Sequence, residues 1–291
     1  MAFSSVEQML RTSDDKKISL AEAVCLSDLQ ESGLSLEASH TQMKKLWQVM
    51  LATSEDYKAD DRSNSGMVGG DAEKIKNAAA AGRLIGDPYF TDVIEEALKT
   101  AECNACMKRI VAAPTAGSCG VLPAVLIPLY RRGGASEAQI TDALYVAAGF
   151  GQVTAERASV SGAEGGCQAE VGTASAMAAA ALTYIKGGTG AECAHAFAIA
   201  LGNLLGLVCD PVAGLVEVPC VKRNVIGAVN AISAANMALA GITSRIPADE
   251  VIDAMGAVGD MMHTDLRETG IGGLAGTPTG IRIAESLRTE W

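Results

Sequence analysis

The sequence predicts an all-α protein, and three observations predict it. Apolar residues recur at helical spacing, as from Leu36 to Tyr57, where Met43, Leu46, Trp47, Met50 and Leu51 share one side. Capping-box patterns open segments at Ser19-Leu-Ala-Glu22 and Ser136-Glu-Ala-Gln139. There is no βαβ alternation, no GxGxxG and no repeat of fixed period. The 291 residues read as one compact multi-helix domain, with N-terminal helices over 1–58 and the functional core over 59–291.

Residues 1–58 form a set of amphipathic helices, with Cys25 and His40 in packing and surface roles. A polar glycine-rich loop, DDRSNSGMVGGD, occupies 60–71; it serves either as a linker or as a backbone loop that closes over a ligand. Helices follow at 71–81 and 90–109. Cys103-Asn-Ala-Cys106 is formally a CxxC, but no second pair or suitably spaced histidine accompanies it, so the reading is structural. Pro114, Gly117 and Gly120 then break the chain before a new helix. Thr115, Ser118 and the N–H groups of Gly117 to Gly120 suit either an anion-binding nest or an ordinary buried turn. Further helices are expected from 136 to about 157, then at 167–185, 191–205, 221–242, 247–262 and 280–289, with short β-like stretches at 110–113 and 214–218. The segment 267–287 gathers five glycines around Thr277-Pro278-Thr279, allowing close backbone approach to a ligand.

Composition narrows the function classes. Hydrophobic residues make up 49% of the chain and aromatics only 4%, so the core is built from Ala, Leu, Val, Ile and Met. A formal net charge of −11 argues against nucleic acid and anionic membrane surfaces as partners. The alanine-rich run from Ala169 to Ile185 contains Glu170 and falls short of a membrane span, and no signal peptide is evident. Eight cysteines in such a chain point to the reducing cytoplasm and to thiols or metal ligands, not disulfides. With three scattered histidines, a His-based metal site or a Ser–His–Asp triad finds little support.

Three of those cysteines stand where punctuated loops meet helices. Cys167 precedes the alanine-rich run, Cys209 lies in a loop between Gly206 and Pro211, and Cys220 follows Pro219 at a helix start. A sulfur at a helix N-terminus is expected to have a lowered pKa, which suits metal ligation. Packing as small hydrophobes explains the same spacing equally well.

Four segments carry a resemblance. APTAGSCGVLPAVL, SGAEGGCQAEVGTASAMAAAAL, LGLVCDPVAGLVEVPCVKRN and LRETGIGGLAGTPTG together resemble the α chain of iron–sulfur-dependent L-serine dehydratase (L-serine deaminase), from about residue 60 onward. The resemblance implies a lyase that deaminates L-serine to pyruvate and ammonia, with a [4Fe–4S] cluster held by Cys167, Cys209 and Cys220. Three thiolates leave the fourth iron open as a Lewis acid. It also implies a separate β subunit; self-association into a homo-oligomer is left open. Relatives of one longer chain end in a cysteine that can cap the open iron, whereas this sequence has no cysteine after Cys220.

Within that frame the nest of Thr115, Gly117 and Ser118 is a candidate for the substrate carboxylate. Arg223 and Asn224 are candidates for reaching a ligand at the iron. Ser161, Glu164 and Lys74 have equal claims as the base, with Glu164 and Asp210 also suited to supporting a ligand. Three rival readings remain: a pyridoxal-phosphate dehydratase, whose lysine motif is absent; a cluster-dependent L-cysteine desulfidase; and a non-enzymatic helical partner subunit.

Overall fold

The computed structural model describes residues 3–289, and among them thirteen α-helices and no strand. The N-terminal three are α1 (Val6–Lys16), α2 (Leu20–Ser32) and α3 (Leu36–Glu55). The middle of the chain forms α4 (Asp71–Ala80), α5 (Pro88–Ala105), α6 (Val121–Arg131), α7 (Glu137–Arg157) and the single turn α8 (Gly162–Gly165). The rest forms α9 (Thr173–Ile185), α10 (Gly190–Gly202), α11 (Cys220–Leu239), α12 (Ala248–Met261) and α13 (Pro278–Thr289).

Helix starts follow local chemistry. Ser5, Ser19, Ser35, Asp87, Ser136 and Thr189 each accept a hydrogen bond from a first-turn N–H, and Pro88 follows Asp87 at the first helical position. Each such cap contributes about 1 kcal/mol. Both capping boxes read from sequence form, and a third forms at Thr189 and Glu192.

α9 is the hub. Every residue from Thr173 to Thr183 is buried, and α6, α7, α10 and α11 pack around it. Alanine leaves little between the axes, so backbones approach closely. Gly227 of α11 marks such an approach, since a Cβ there would meet Val121 and Val171 at 2.9 and 3.0 Å. The polar groups so buried are paired: Ser175 Oγ donates to Gly227 O at 2.7 Å, and Asn230 Nδ2 donates to Ser175 Oγ and Ala200 O. The few aromatics are spent on this core, with Phe150 stacked on Phe197 and Trp47 edge-on to Tyr130. α1, α2 and α3 contribute Met9, Val24, Trp47 and Met50 to the same hydrophobic cluster.

Three local expectations need correction. The stretches 110–113 and 214–218 are loops, and the one β-bridge among the described residues pairs Cys209 with Arg267. The helix placed over 90–109 begins at Pro88 and ends at Ala105, because Met107 takes a left-handed φ of 59°. The helix placed over 167–185 opens as a π turn over Gln168–Gly172 before α9 proper. Such π turns concentrate at functional sites because they re-aim one side chain. Cys103 is buried with its thiol on Thr53 O at 3.5 Å, and Cys106 is half-buried, in keeping with a structural pair.

Candidate active site

Cys167, Cys209 and Cys220 come from three separate segments and are all buried, at 2, 3 and 7% exposure, with none in a disulfide. Cys167 immediately precedes the π turn, and its segment is fixed to the 201–207 loop: Gln168 N–H donates to Leu207 O, and Gly206 N–H donates to Gln168 Oε1. Cys209 is held by backbone on both sides, its N–H donating to Leu266 O and its carbonyl accepting from Glu268 N–H. Cys220 is the first residue of α11.

Arg223 and Asp210 join two of these segments. Arg223 Nη2 lies 2.8 Å from Asp210 Oδ1, a Coulombic contact whose angle falls outside hydrogen-bond geometry, and Arg223 Nη1 donates to Val208 O at 2.7 Å. Asp210 Oδ2 accepts from Leu274 N–H at 2.7 Å, which brings in the last glycine-rich loop. Gly273 is required there, since at its φ of 59° a Cβ would stand 2.3 Å from Asp210 Oδ2. Arg223 is therefore committed to the framework. So is Asn224: its Oδ1 accepts from Gly120 N–H, and its Nδ2 donates to Gly117 O and Cys220 O. It bolts the 115–120 turn to the start of α11.

The π turn aims Glu170 into the space between these segments. Its Oε1 accepts from Thr115 Oγ1 at 2.6 Å, and its Oε2 lies 3.9 Å from the Cys209 thiol. Glycines make room for it: a Cβ on Gly162 would sit 2.6 Å from Oε2 and 3.1 Å from Cys209 Sγ, and one on Gly117 3.1 Å from Oε1. Glu170 forms no ion pair, and burial raises its carboxyl above the usual carboxylate range. It was not among the sequence candidates. The signal available was one glutamate inside an otherwise apolar, alanine-rich helical run.

The thiols do not behave as helix N-termini alone would dictate. Cys167 is lowered, chiefly because the Cys209 thiol donates to it, with the Arg223 guanidinium adding to the effect. Cys209 is raised by the same shared proton. Cys220, although it starts α11, is pushed up to about 12 by burial, so desolvation outweighs the helix dipole there.

Among the described residues, no three His, Cys, Asp or Glu side chains gather tightly enough for a single metal ion. A four-iron cluster spreads its thiolates over several irons instead. The residues fit such a group in their chemistry: three unpaired buried thiols on separate loops, a guanidinium to offset thiolate charge, and a glycine at 162 that leaves the thiol face open.

The other sequence candidates scatter. Thr115 and Ser118 lie at the turn facing Glu170, but their hydroxyls pair with Glu170 and with each other. Ser161 caps α8. Glu164 is exposed on the side of α8 toward α12, in a different cavity. Lys74 is 77% exposed and bound to Asp71. The 60–71 loop is tied to the segment between Cys209 and Cys220 by Ser63 and Ser65, whose hydroxyls both donate to Glu217 Oε2. This loop, the segment at 213–217 and the loop at 269–270 frame a cavity of about 590 Å³, with Asn64, Ser65, Gly214, Glu217 and Thr269 among its lining residues.

Fold and site together define a helical protein in which three buried thiols and a carboxylate without an ion pair lie on segments joined by glycine-rich loops. The chain belongs to the serine dehydratase alpha chain family, whose model matches residues 10–275. It is 47% identical over 285 residues to a probable L-serine dehydratase, alpha chain, of Bacillus subtilis (strain 168), covering 98% of this chain and 95% of that one. Similarity to the L-serine dehydratase, alpha chain, of Peptoniphilus asaccharolyticus is 39% identity over 288 residues, with 99% of each chain covered. An L-serine dehydratase of Escherichia coli (strain K12) is 36% identical over 288 residues, covering 94% of this chain and 61% of that protein. Among the described residues no helix is long and apolar enough to cross a membrane.

Proposed function

We propose that this chain is the catalytic α chain of an L-serine dehydratase, deaminating L-serine to pyruvate and ammonia with a [4Fe–4S] cluster and a β chain as partner. The observation that supports the reading is Cys167 and Cys209 buried in one small cluster, with the Cys209 thiol against Glu170, in a chain of this family. When bound, the cluster supplies an open iron that makes serine's β-hydroxyl a better leaving group.

Cys167, Cys209 and Cys220 are the residues that hold it, and Arg223 offsets their charge. We assign the proton at Cα to Glu170 ahead of Ser161, Glu164 and Lys74, because its carboxyl faces both a ligand cysteine and the Thr115 turn. The Cα–H proton passes to the Glu170 carboxylate, the Cβ–O bond breaks, and the departing hydroxide takes that proton back and leaves as water. The aminoacrylate product tautomerises to an imine, which water hydrolyses to pyruvate and ammonia. The Thr115, Gly117 and Ser118 turn, bolted by Asn224, holds the substrate beside Glu170.

The test begins with iron, acid-labile sulfide and a visible spectrum on protein purified without oxygen. About four irons and four sulfides per chain are expected, falling when Cys167, Cys209 or Cys220 is replaced by alanine. Pyruvate formation from L-serine with added β chain follows. Faster sulfide release from L-cysteine than pyruvate formation from L-serine would make the chain a desulfidase, and a colourless chain after reconstitution would return the cysteines to the core.

A further inference from the structure

A second cavity, of about 640 Å³, lies between α8, the end of α7, and α12, with Ala169 at the start of the π turn also in its lining. Its charges do not cancel internally. Arg157 is satisfied, with its guanidinium on both oxygens of Asp253 and 3.7 Å from Asp249. Arg267 is not: its one hydrogen bond is a long 3.5 Å donation to Glu164 O, and it forms no ion pair. The carboxylates of Glu164 and Asp260, which also line the cavity, form no ion pair either. Arg223, the other arginine near the thiols, is consumed by Asp210 and Val208 O.

One unpaired guanidinium and two unpaired carboxylates around a polar cavity are the complement of a small zwitterion. A guanidinium reads a carboxylate through two parallel N–H donors, and a carboxylate opposite it accepts an α-ammonium. The apolar remainder of the lining includes Ala163, Ala169 and Ala257, which leaves space for a small side chain.

We propose that this cavity is a second ligand site, for a small α-amino acid, with Arg267 binding the carboxylate and Glu164 or Asp260 the ammonium. The site touches both segments that carry Cys167 and Cys209. α8 ends just before Cys167 and packs backbone to backbone on α12, where a Cβ on Gly259 would stand 2.9 Å from Gly165 Cα. Arg267 is the residue bridged to Cys209. An amino acid held between Arg267 and α8 therefore braces two of the three cysteine segments from outside the catalytic face. The inference does not depend on which reaction the thiol face performs.

The probe is L-alanine, which has no β-hydroxyl to eliminate, titrated calorimetrically into the full chain, with L-alaninamide as the control lacking a carboxylate. Wild-type protein is expected to bind L-alanine about 10- to 100-fold more tightly than L-alaninamide, the range of a charge-assisted bidentate contact. Arg267→Gln should erase that preference, Arg267→Lys should retain part of it, and Asp260→Asn should weaken both ligands. Arg11→Gln, which removes an exposed guanidinium outside the cavity, should leave the L-alanine Kd within about twofold. The proposal is overturned by unchanged binding in Arg267→Gln, by equal loss in Arg11→Gln, or by no L-alanine binding to wild type. Circular dichroism on Arg267→Gln separates lost binding from lost folding, and Arg267→Lys decides the matter if the glutamine variant unfolds.

Discussion

Replacing Arg223 with alanine strands a carboxylate. Asp210 is 3% exposed, and its remaining partner is the Leu274 N–H. Breaking a buried ion pair from one side costs about 3–5 kcal/mol, because the surviving charge keeps its desolvation penalty without its counter-ion. Val208 O also loses its donor. Two to four degrees of Tm per kcal/mol then gives a fall of about 6–20 °C for Arg223→Ala. The double variant Asp210→Ala/Arg223→Ala should lose less than the sum of the single variants, since it leaves no orphaned charge. Thermal melts by circular dichroism, with urea titrations for the free energies, read both quantities. A fall below 2 °C for Arg223→Ala, or strict additivity in the double variant, would refute the view that this pair clamps the Cys209 segment to α11.

Two further outcomes follow from the site. Glu170 is raised above its ordinary value of 4.5 by burial, so the folded state binds its proton more tightly than the unfolded state. Its contribution therefore favours the fold at pH below about 4.5 and is lost as pH rises through the folded value. Glu170→Gln should match wild-type stability near pH 4 and exceed it at pH 8, while catalytic turnover falls by about 10²-fold or more; equal stability of the two proteins across that pH range would count against the buried carboxyl. Gly162→Ala drives a methyl against Glu170 and Cys209 and should cut iron content sharply. Gly202→Ala, with nothing within 4 Å of its Cβ, should leave iron content unchanged and stability equal or up to about 1 kcal/mol higher. Iron loss in both variants, or in neither, would contradict the cradle at Gly162.

The helical fold was legible because its signals are local. Ser19, Ser136 and Thr189 cap by reaching three residues along the chain, and in α3 Met43, Trp47, Met50 and Leu51 pack on the core as their spacing predicts, while Leu46 is exposed and the helix ends at Glu55. The loop and helix boundaries at which the three cysteines stand were legible too, since they depend on nearby glycine and proline. Glu170 was not, because a π turn inside an expected helix re-aims its side chain by less than one helical turn, and nothing in the residue order announces it. Nor does the sequence say that Arg223 spends its charge on Asp210, or that Asn224 spends its hydrogen bonds on Gly117 and Gly120. Those partners lie from 13 to 107 residues away, so the choice belongs to packing. The sulfur at Cys220 makes the same point energetically: chain order places it at a helix N-terminus, which favours the thiolate, while burial by α11's neighbours decides against it. What the sequence determined by itself is the helices, their caps and the cysteine-bearing loops. Which charges remain unpaired, and which face of α8 each one meets, is decided by the tertiary structure, because desolvation and long-range pairing exist only once the helices have packed.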